Sequence, residues 1–255
     1  MQLTVTGHRR RYLELSLGSH ARAYAVCNGF GTIDGQPVEE AALRELQATL
    51  QRRSRGARFA YQIAKPKAMA AFLIAVVSHL NAYLFKRSAA HEDYVTSGAS
   101  LTLILHCKDR AYLAHVGTTA AYVVRSGYVV ALTKDDSCSF DDDQPARILT
   151  RALGIGSQMQ MSVCSFRVAG GDTLVLASRR LAGVEDRRAL ARWIMHGEGA
   201  GAITLGSLKA GEHTVAAVPI RISQIAQPKT VVVQRSPVWY IIVALLLSLL
   251  LIISI

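Results

Sequence analysis

The sequence has few cysteines, and their spacing excludes the usual cysteine-based sites. Its four cysteines lie far apart, with no CxxC pair and no cysteine–histidine pair at zinc-ligand spacing. This pattern argues against a zinc site and a disulfide framework and is typical of thiols in a reducing compartment. The first residues, MQLTVTGHRRRYLELSLG, become polar and basic at once, so we expect no signal peptide there.

Acidic side chains are scarce relative to basic ones. The chain has 255 residues, with 29 lysines and arginines against 18 aspartates and glutamates, giving a formal net charge of +11. No charged residue follows Arg235, so the whole excess belongs to the region before it. A domain this basic favours anionic partners such as acidic lipid head groups, phosphoproteins or nucleic acid. The alternative is that the charge serves only solubility and attraction to a membrane surface.

The segment VWYIIVALLLSLLLIISI, residues 238–255, contains no charged residue. As a helix it would reach about 27 Å, enough for the hydrocarbon core of a bilayer. Trp239 and Tyr240 lie where an interfacial aromatic belt would be, and Lys229 and Arg235 form a basic flank of the kind found on the cytoplasmic side. Because the segment has no polar face, we favour a membrane anchor over a buried helix.

The sequence therefore predicts a single-pass, tail-anchored membrane protein. We expect a folded domain at residues 1–222, a linker at 223–237 and a C-terminal transmembrane anchor at 238–255. The basic flank of the anchor predicts that the N-terminal domain faces the cytoplasm.

Hydrophobic periodicity predicts helices at 38–53, 67–87 and 185–197, and the second is apolar over most of its surface, which indicates burial. Strands are predicted at 100–107, 110–117, 120–127, 128–133, 162–168, 173–178 and 213–220. We expect the first four strands to form a series of hairpins, with turns at 108–109, 118–119 and 126–127. Helices combined with many antiparallel strands predict an α+β layered domain.

Six segments follow the order and approximate spacing of one family's motifs. AYAVCNGFGT (23–32) is similar to a strand ending in Asp-Gly-Met-Gly-Gly, SGASLTLIL (97–105) to Gly-Thr-Thr-Leu-Val, and AHVGTTAAYVVRSGYVVALTKDDS (114–137) to a stretch with Gly-Asp-Ser-Arg and Leu-Thr-x-Asp-His-Ser. The other three are ILTRALG (148–154), GDTLVLASRRLAGVED (171–186) and GEHTVAAV (211–218). Together they resemble the PPM-type, metal-dependent Ser/Thr phosphatases, also called protein phosphatase 2C, over residues 7–218.

The resemblance implies a four-layer α-β-β-α sandwich, in which two antiparallel sheets pack together and pairs of helices flank them. Family members bind two Mn²⁺ or Mg²⁺ ions at one end of the sandwich, and these ions hold the water that attacks the substrate phosphorus. That chemistry requires carboxylates, because hard divalent ions prefer charged oxygen ligands. Metal bridging also lowers the pKa of the attacking water.

The chain departs from the family pattern at these carboxylates. The resemblance aligns the metal-site aspartates with Asn28, Thr118, Arg179 and Gly211, whereas Gly29 is retained. The charge of two divalent ions would be largely uncompensated at such a site, and an arginine there would add like-charge repulsion. The sequence therefore predicts that no Mn²⁺ or Mg²⁺ cofactor is bound and that metal-dependent hydrolysis is lost.

Arginines near the same positions offer another source of positive charge. In GHRRRYLE (7–14) the resemblance places the phosphate-contacting arginine of the family at Arg9. With Arg179 and Arg180 it would form a set of guanidinium groups, which bind phosphate through bidentate hydrogen bonds. The alternative is that Arg179 fills the former metal cleft and pairs with Glu212 or Glu14.

A basic segment, RRSRGARFAYQIAKPK (52–67), separates the first two predicted helices. Phe59 and Tyr61 could stack on bases, but one basic loop is a weak indicator of nucleic-acid binding. Contact with anionic lipid is the more economical interpretation, and a solvated connection is the alternative. The residues that would make the contact are Arg52, Arg53, Arg55, Arg58, Lys65 and Lys67.

These observations predict a membrane-anchored pseudophosphatase, a catalytically inactive domain that binds a phosphoprotein, a Ser/Thr kinase or another membrane component. The first alternative is a divergent but active phosphatase that holds Mn²⁺ or Mg²⁺ with Asn28, Glu14 and acids such as Asp34 or Asp136. The second is a basic adaptor for a membrane surface or nucleic acid, of which nucleic acid is the less expected partner.

Overall fold

The computed structural model describes residues 4–6, 11–18, 21–63, 65–88, 97–138, 148–179 and 215–219. The chain divides into two compact units, Met1–Arg221 and Ile222–Ile255, and all described residues lie in the first. The predicted helix at 185–197, the linker at 223–237 and the membrane anchor at 238–255 lie outside the described residues, so they stay predictions.

The described residues contain three helices and fourteen strands. The helices are α1 (Val38–Arg53), α2 (Ala57–Ile63) and α3 (Pro66–Ser88). The strands, in chain order, are β1 (Thr4–Thr6), β2 (Tyr12–Ser16), β3 (Ala21–Phe30), β4 (Thr32–Ile33), β5 (Gln36–Pro37), β6 (Gly98–Cys107), β7 (Arg110–Val116), β8 (Ala120–Arg125), β9 (Tyr128–Ala131), β10 (Ser137–Cys138), β11 (Ile148–Leu149), β12 (Ser162–Arg167), β13 (Thr173–Ala177) and β14 (Val215–Pro219).

Two five-stranded antiparallel sheets make up the centre of the fold. The helix-side sheet has the order β12-β7-β6-β3-β2, and the opposing sheet has the order β1-β14-β13-β8-β9. The described residues also contain two separate antiparallel strand pairs, β4–β5 and β10–β11. This α+β arrangement of antiparallel sheets and helices agrees with the predicted fold class.

Helices α1 and α3 cover one face of the helix-side sheet. Alternate residues of its central strands, such as Ala25 on β3 and Leu103 on β6, share one apolar core with Leu46 of α1 and Leu73 of α3. All of β6 except His106 is buried, because its other face meets the space between the two sheets. The central strand is therefore enclosed on both sides, which explains its nearly continuous apolar sequence.

Helix α3 is long and apolar enough to cross a membrane by length and composition. Its Met69, Leu73, Val76, Leu80 and Leu84 are buried in the same core as the helix-side sheet. Packing against that sheet accounts for the hydropathy of α3 and confirms the predicted burial of this segment.

Two predicted helices are confirmed, and one helix was missed. α1 spans the predicted 38–53, and α3 extends the predicted 67–87 by one residue at each end. Helix α2 lies inside the basic segment that was expected to be a loop. A helix of seven residues is unstable alone, but Phe59 is buried and its ring lies 5.1 Å from that of Phe72 on α3. Tertiary packing therefore stabilises α2, a helix that the local sequence pattern does not predict.

The predicted series of hairpins is correct at two turns and wrong at the third. β6–β7 and β8–β9 are hairpins, with turns at 108–109 and 126–127 as expected. β7 and β8, however, belong to different sheets, because β7 pairs with β6 and β12 whereas β8 pairs with β13 and β9. Residues 117–119 therefore cross from one sheet to the other. The strands that pair with β7 and β8, namely β12 and β13, lie far along the chain, so the local sequence does not reveal the crossover.

An ion pair between the exposed Arg125 and the buried Asp172 fixes the outer end of β8 to the connection between β12 and β13. Arg125 donates from Nε to Oδ1 of Asp172 at 2.8 Å and from Nη2 to Oδ2 at 2.6 Å, and the Ala169 N–H donates to Oδ2 at 2.8 Å. Asp172 is almost completely buried. The hydrogen bonds from Arg125 hold the pKa of the Asp172 carboxyl below its usual value, despite its burial.

The substitution Asp172→Asn is expected to lower the free energy of unfolding by about 2 kcal/mol, because hydrogen bonds to a charged acceptor are lost. Since the pKa of Asp172 is depressed in the folded state, its contribution is present above the unfolded-state value and is lost as pH falls through the folded-state value. Urea unfolding at neutral and acidic pH measures both effects. If the unaltered chain and the Asp172→Asn variant were equally stable at neutral pH, or lost stability equally in acid, the stabilising role of the Asp172 carboxylate would be contradicted.

Candidate functional site

Several strand ends meet at one end of the two sheets, which we call the Asn28 end and define by Asn28, Gly29, Ser100 and Thr118. Asn28 near the end of β3 is directly opposite Ser100 near the start of β6. The Thr118 N–H donates to Ser100 Oγ at 3.0 Å, and the two hydroxyl oxygens lie 3.3 Å apart. An amide and two hydroxyl groups therefore lie together where the resemblance aligns metal-site aspartates.

Arg179 belongs to the same end of the sheets. The β13–β8 pairing runs from Thr173 opposite Val124 to Ala177 opposite Ala120. Ala120 is the first residue of β8 after the crossover, and Arg179, two residues beyond Ala177, is exposed. Arg9, Arg180 and Gly211, the other residues predicted for the site, lie outside the described residues.

The start of α1 contributes a carboxylate that sequence reasoning missed. Gly29 packs so closely on α1 that a Cβ at this position would lie 2.7 Å from the Glu39 nitrogen. Glu39, in the first turn of the helix, has Oε1 at 3.4 Å from Arg11 Nε. An acid at a helix N-terminus is favoured by the helix dipole, so the sequence pattern gave no reason to assign it to a site.

The acids proposed for an active alternative lie elsewhere or are engaged in structural contacts. Glu14 is opposite Tyr24 on the neighbouring strand, four positions from Asn28 or about 13 Å along the strand, and its Oε1 is 3.9 Å from Arg22. Asp34, in the β4–β5 hairpin, forms an ion pair with Arg87.

Asp136 is buried and closes the crossover between the sheets. Its Oδ2 accepts from the Gly117 N–H at 3.0 Å, its own N–H donates to the Gly117 carbonyl at 3.1 Å, and Oδ1 lies 3.6 Å from Arg151 Nε. The Asp136 carbonyl accepts from both the N–H and the hydroxyl of Thr150. Its oxygens therefore hold backbone together beside Thr118.

A buried polar chain lies next to the Asn28 end, between the sheets. His115 Nε2 lies 2.9 Å from the Lys134 carbonyl, which can only accept, so this nitrogen carries the proton. Nδ1 then accepts from the Thr102 hydroxyl at 3.0 Å, and Thr102 accepts from Thr119 at 2.8 Å. Burial lowers the pKa of His115, so the neutral ring serves as a link in the structure.

Among the residues described here, no group of three or more His, Cys, Asp and Glu side chains is arranged to hold a metal ion. The donors at the Asn28 end are an amide, hydroxyls and an exposed guanidinium, while Glu39 and Asp136 are engaged as above. Such a set suits hydrogen bonding to an anion better than ligation of hard divalent cations.

Gly117→Ala is expected to lower the free energy of unfolding by about 3 kcal/mol, through left-handed strain and overpacking. Gly117 has φ +93°, and a Cβ there would lie 2.9 Å from the Ser100 Cα. Gly127 is a matched control, with φ +79° and nothing within 4 Å of an added Cβ, so Gly127→Ala is expected to cost about 1 kcal/mol. Thermal or urea unfolding compares the two, and equal costs would contradict the close approach of Gly117 to Ser100.

No protein-family model matches the sequence, and a search of curated proteins gives no match. Solved structures do match. The Mycobacterium tuberculosis serine/threonine phosphatase PstP/Ppp has 22% identity and a TM-score of 0.62, with 86% of this chain and 99% of that chain covered. Stp1 of Staphylococcus aureus has 16% identity and a TM-score of 0.60, covering 86% and 94%. PppA of Pseudomonas aeruginosa has 20% identity and a TM-score of 0.59, covering 85% and 95%.

Proposed function

This chain has the fold of the PPM-type Ser/Thr phosphatases, and on that premise we propose that it is a pseudophosphatase, a binding or regulatory module without hydrolytic activity. The carrying observation is the set of side chains at the Asn28 end. Asn28, Thr118 and Arg179 occupy positions where the resemblance requires metal-binding aspartates, and the fold brings them to the same end of the sheets.

Charge supports the loss of metal chemistry. Two divalent cations need several carboxylates to balance them, and the neighbouring acids Glu39 and Asp136 are engaged with Arg11 and with the Gly117 crossover. Recruiting either acid would break a contact that stabilises the fold. The charge of Arg179 would further oppose a cation at this end of the sheets.

The same charge favours a phosphate group on a protein partner. An exposed guanidinium can form bidentate hydrogen bonds to phosphate, and the hydroxyl of the half-buried Thr118 is a further donor. We therefore propose a phosphorylated protein as the ligand of the Asn28 end, with a Ser/Thr kinase as one such partner. The anchor predicted at 238–255 would hold this module at the cytoplasmic face of a membrane.

The full chain is expected to show no Mn²⁺-dependent hydrolysis of an aryl phosphate or a phosphopeptide, because the carboxylates for a dinuclear site are replaced. Phosphate release with Mn²⁺ and with a chelator should be equal, and calorimetry should give no stoichiometric Mn²⁺ binding. Metal-dependent turnover that Asn28→Ala abolishes would refute the proposal and support the divergent active phosphatase instead.

Arg179→Gln is expected to weaken binding of phosphoserine peptides about ten-fold, the usual effect of losing a charge-assisted contact to phosphate. Fluorescence anisotropy with matched phosphorylated and unphosphorylated peptides from a peptide library measures this. Arg179→Lys keeps the charge and should be intermediate. Arg167→Gln removes an exposed charge from β12 and is the control. Equal binding of both peptide forms by the unaltered chain would contradict phosphate recognition.

A further inference from the structure

A second basic site lies at the end of the helices farthest from Asn28. A pocket of about 340 Å³ opens there between the three helices, lined by Arg53, Arg58, Gln62, Ala71, Phe72 and Ala75. Helix α1 runs from Glu39, which contacts Gly29, to Arg53, a distance of about 21 Å. The pocket is therefore separate from the Asn28 end and does not depend on the function proposed for it.

Two arginines at this pocket carry positive charge that nearby acids do not balance. Arg53 and Arg58 are exposed, and neither has an acidic partner within the part of the chain that the structure describes. Arg52, beside them, is instead engaged with Glu45 at 3.6 Å. Between Glu45 and Glu92 the sequence contains eight lysines and arginines and no acid. A surface of this kind attracts anions over a distance of about 10 Å.

The pocket and its surroundings also present apolar surface. Phe72 forms part of the wall with Ala71 and Ala75. On the same helix, Ile74 neighbours Ala71 and is 45% exposed, and on α2 Tyr61 neighbours Arg58 and is 57% exposed. A membrane surface has a layer of phosphate groups above the hydrocarbon. The unpaired arginines suit the phosphate layer, and the exposed apolar side chains suit the boundary with the hydrocarbon.

We propose that this pocket binds the phosphate head group of an anionic membrane lipid, with Arg53 and Arg58 at the phosphate and Ile74 and Tyr61 at the boundary with the acyl chains. Nucleic acid fits less well. Phe59 is 3% exposed and cannot stack on a base, so Tyr61 is left as a single stacking ring beside the pocket, and Lys65 Nζ lies 4.5 Å from its centre. A phosphopeptide would leave the exposed Ile74 without a role.

Hydrogen exchange of the full chain with vesicles of phosphatidylcholine, with and without phosphatidylglycerol, tests the proposal. Amides of residues 57–75 are expected to exchange about ten-fold more slowly with the anionic vesicles. Each arginine near an anionic membrane surface strengthens binding several-fold, and the pocket has two. The double substitution Arg53→Gln and Arg58→Gln should abolish the difference. The effect should also fall steeply with added salt.

A matched control removes the same charge elsewhere. Lys86→Gln with Arg167→Gln alters two exposed residues outside the pocket and should leave the protection by phosphatidylglycerol intact. Equal exchange with both vesicles, or equal loss in the control and the pocket variant, would overturn the proposal. Full protection by inorganic phosphate alone would overturn the lipid assignment, as would stronger protection by an oligonucleotide or a phosphopeptide.

Discussion

The crossover at Gly117 is the constraint on which the arrangement of this domain depends. The chain leaves the helix-side sheet at Val116 and enters the opposing sheet at Ala120, so only three residues join the two layers. Gly117 makes this possible, because its left-handed backbone lies against Ser100 without a side chain. Asp136 binds the glycine at both its N–H and its carbonyl. Thr118 is therefore fixed beside Ser100 and Asn28, and the candidate site follows from the crossover.

The helix-side sheet separates two chemical environments. Its face toward α1 and α3 is continuously apolar and supplies the core, whereas the other face becomes polar toward the Asn28 end, through Ser100, Thr102 and His115. Thr102 and His115 belong to one chain of hydrogen bonds that runs from Thr119 to the Lys134 carbonyl. These side chains are neutral, and hard divalent cations prefer charged oxygen ligands, so this face suits a dinuclear metal centre poorly.

The helices and the strand pattern could be predicted wherever the signal was local. Residues 38–53 show 3.6-residue periodicity, and the strands from 98 to 131 are bounded by turn residues, so their boundaries agree with the structure within a few positions. Helix α2 and the short strand pairs β4–β5 and β10–β11 contain too few residues for a periodic signal. The assignment of β7 and β8 to different sheets depends on their pairing with β12 and β13, which a local pattern does not contain.

By itself, the sequence determined the fold, the residues that the resemblance aligns with metal-site aspartates, and the excess of positive charge, because these are properties of composition and of ordered motifs. Only the tertiary structure decided which side chains are neighbours. At the Asn28 end, Glu39 contacts Arg11, Asp136 binds the crossover, and Glu14 lies away from Asn28. Among the helices, Phe59 packs on Phe72, and Arg53 and Arg58 line a pocket. The physical reason is that contacts between distant segments depend on how layers pack, whereas propensity and periodicity depend only on near neighbours in the chain.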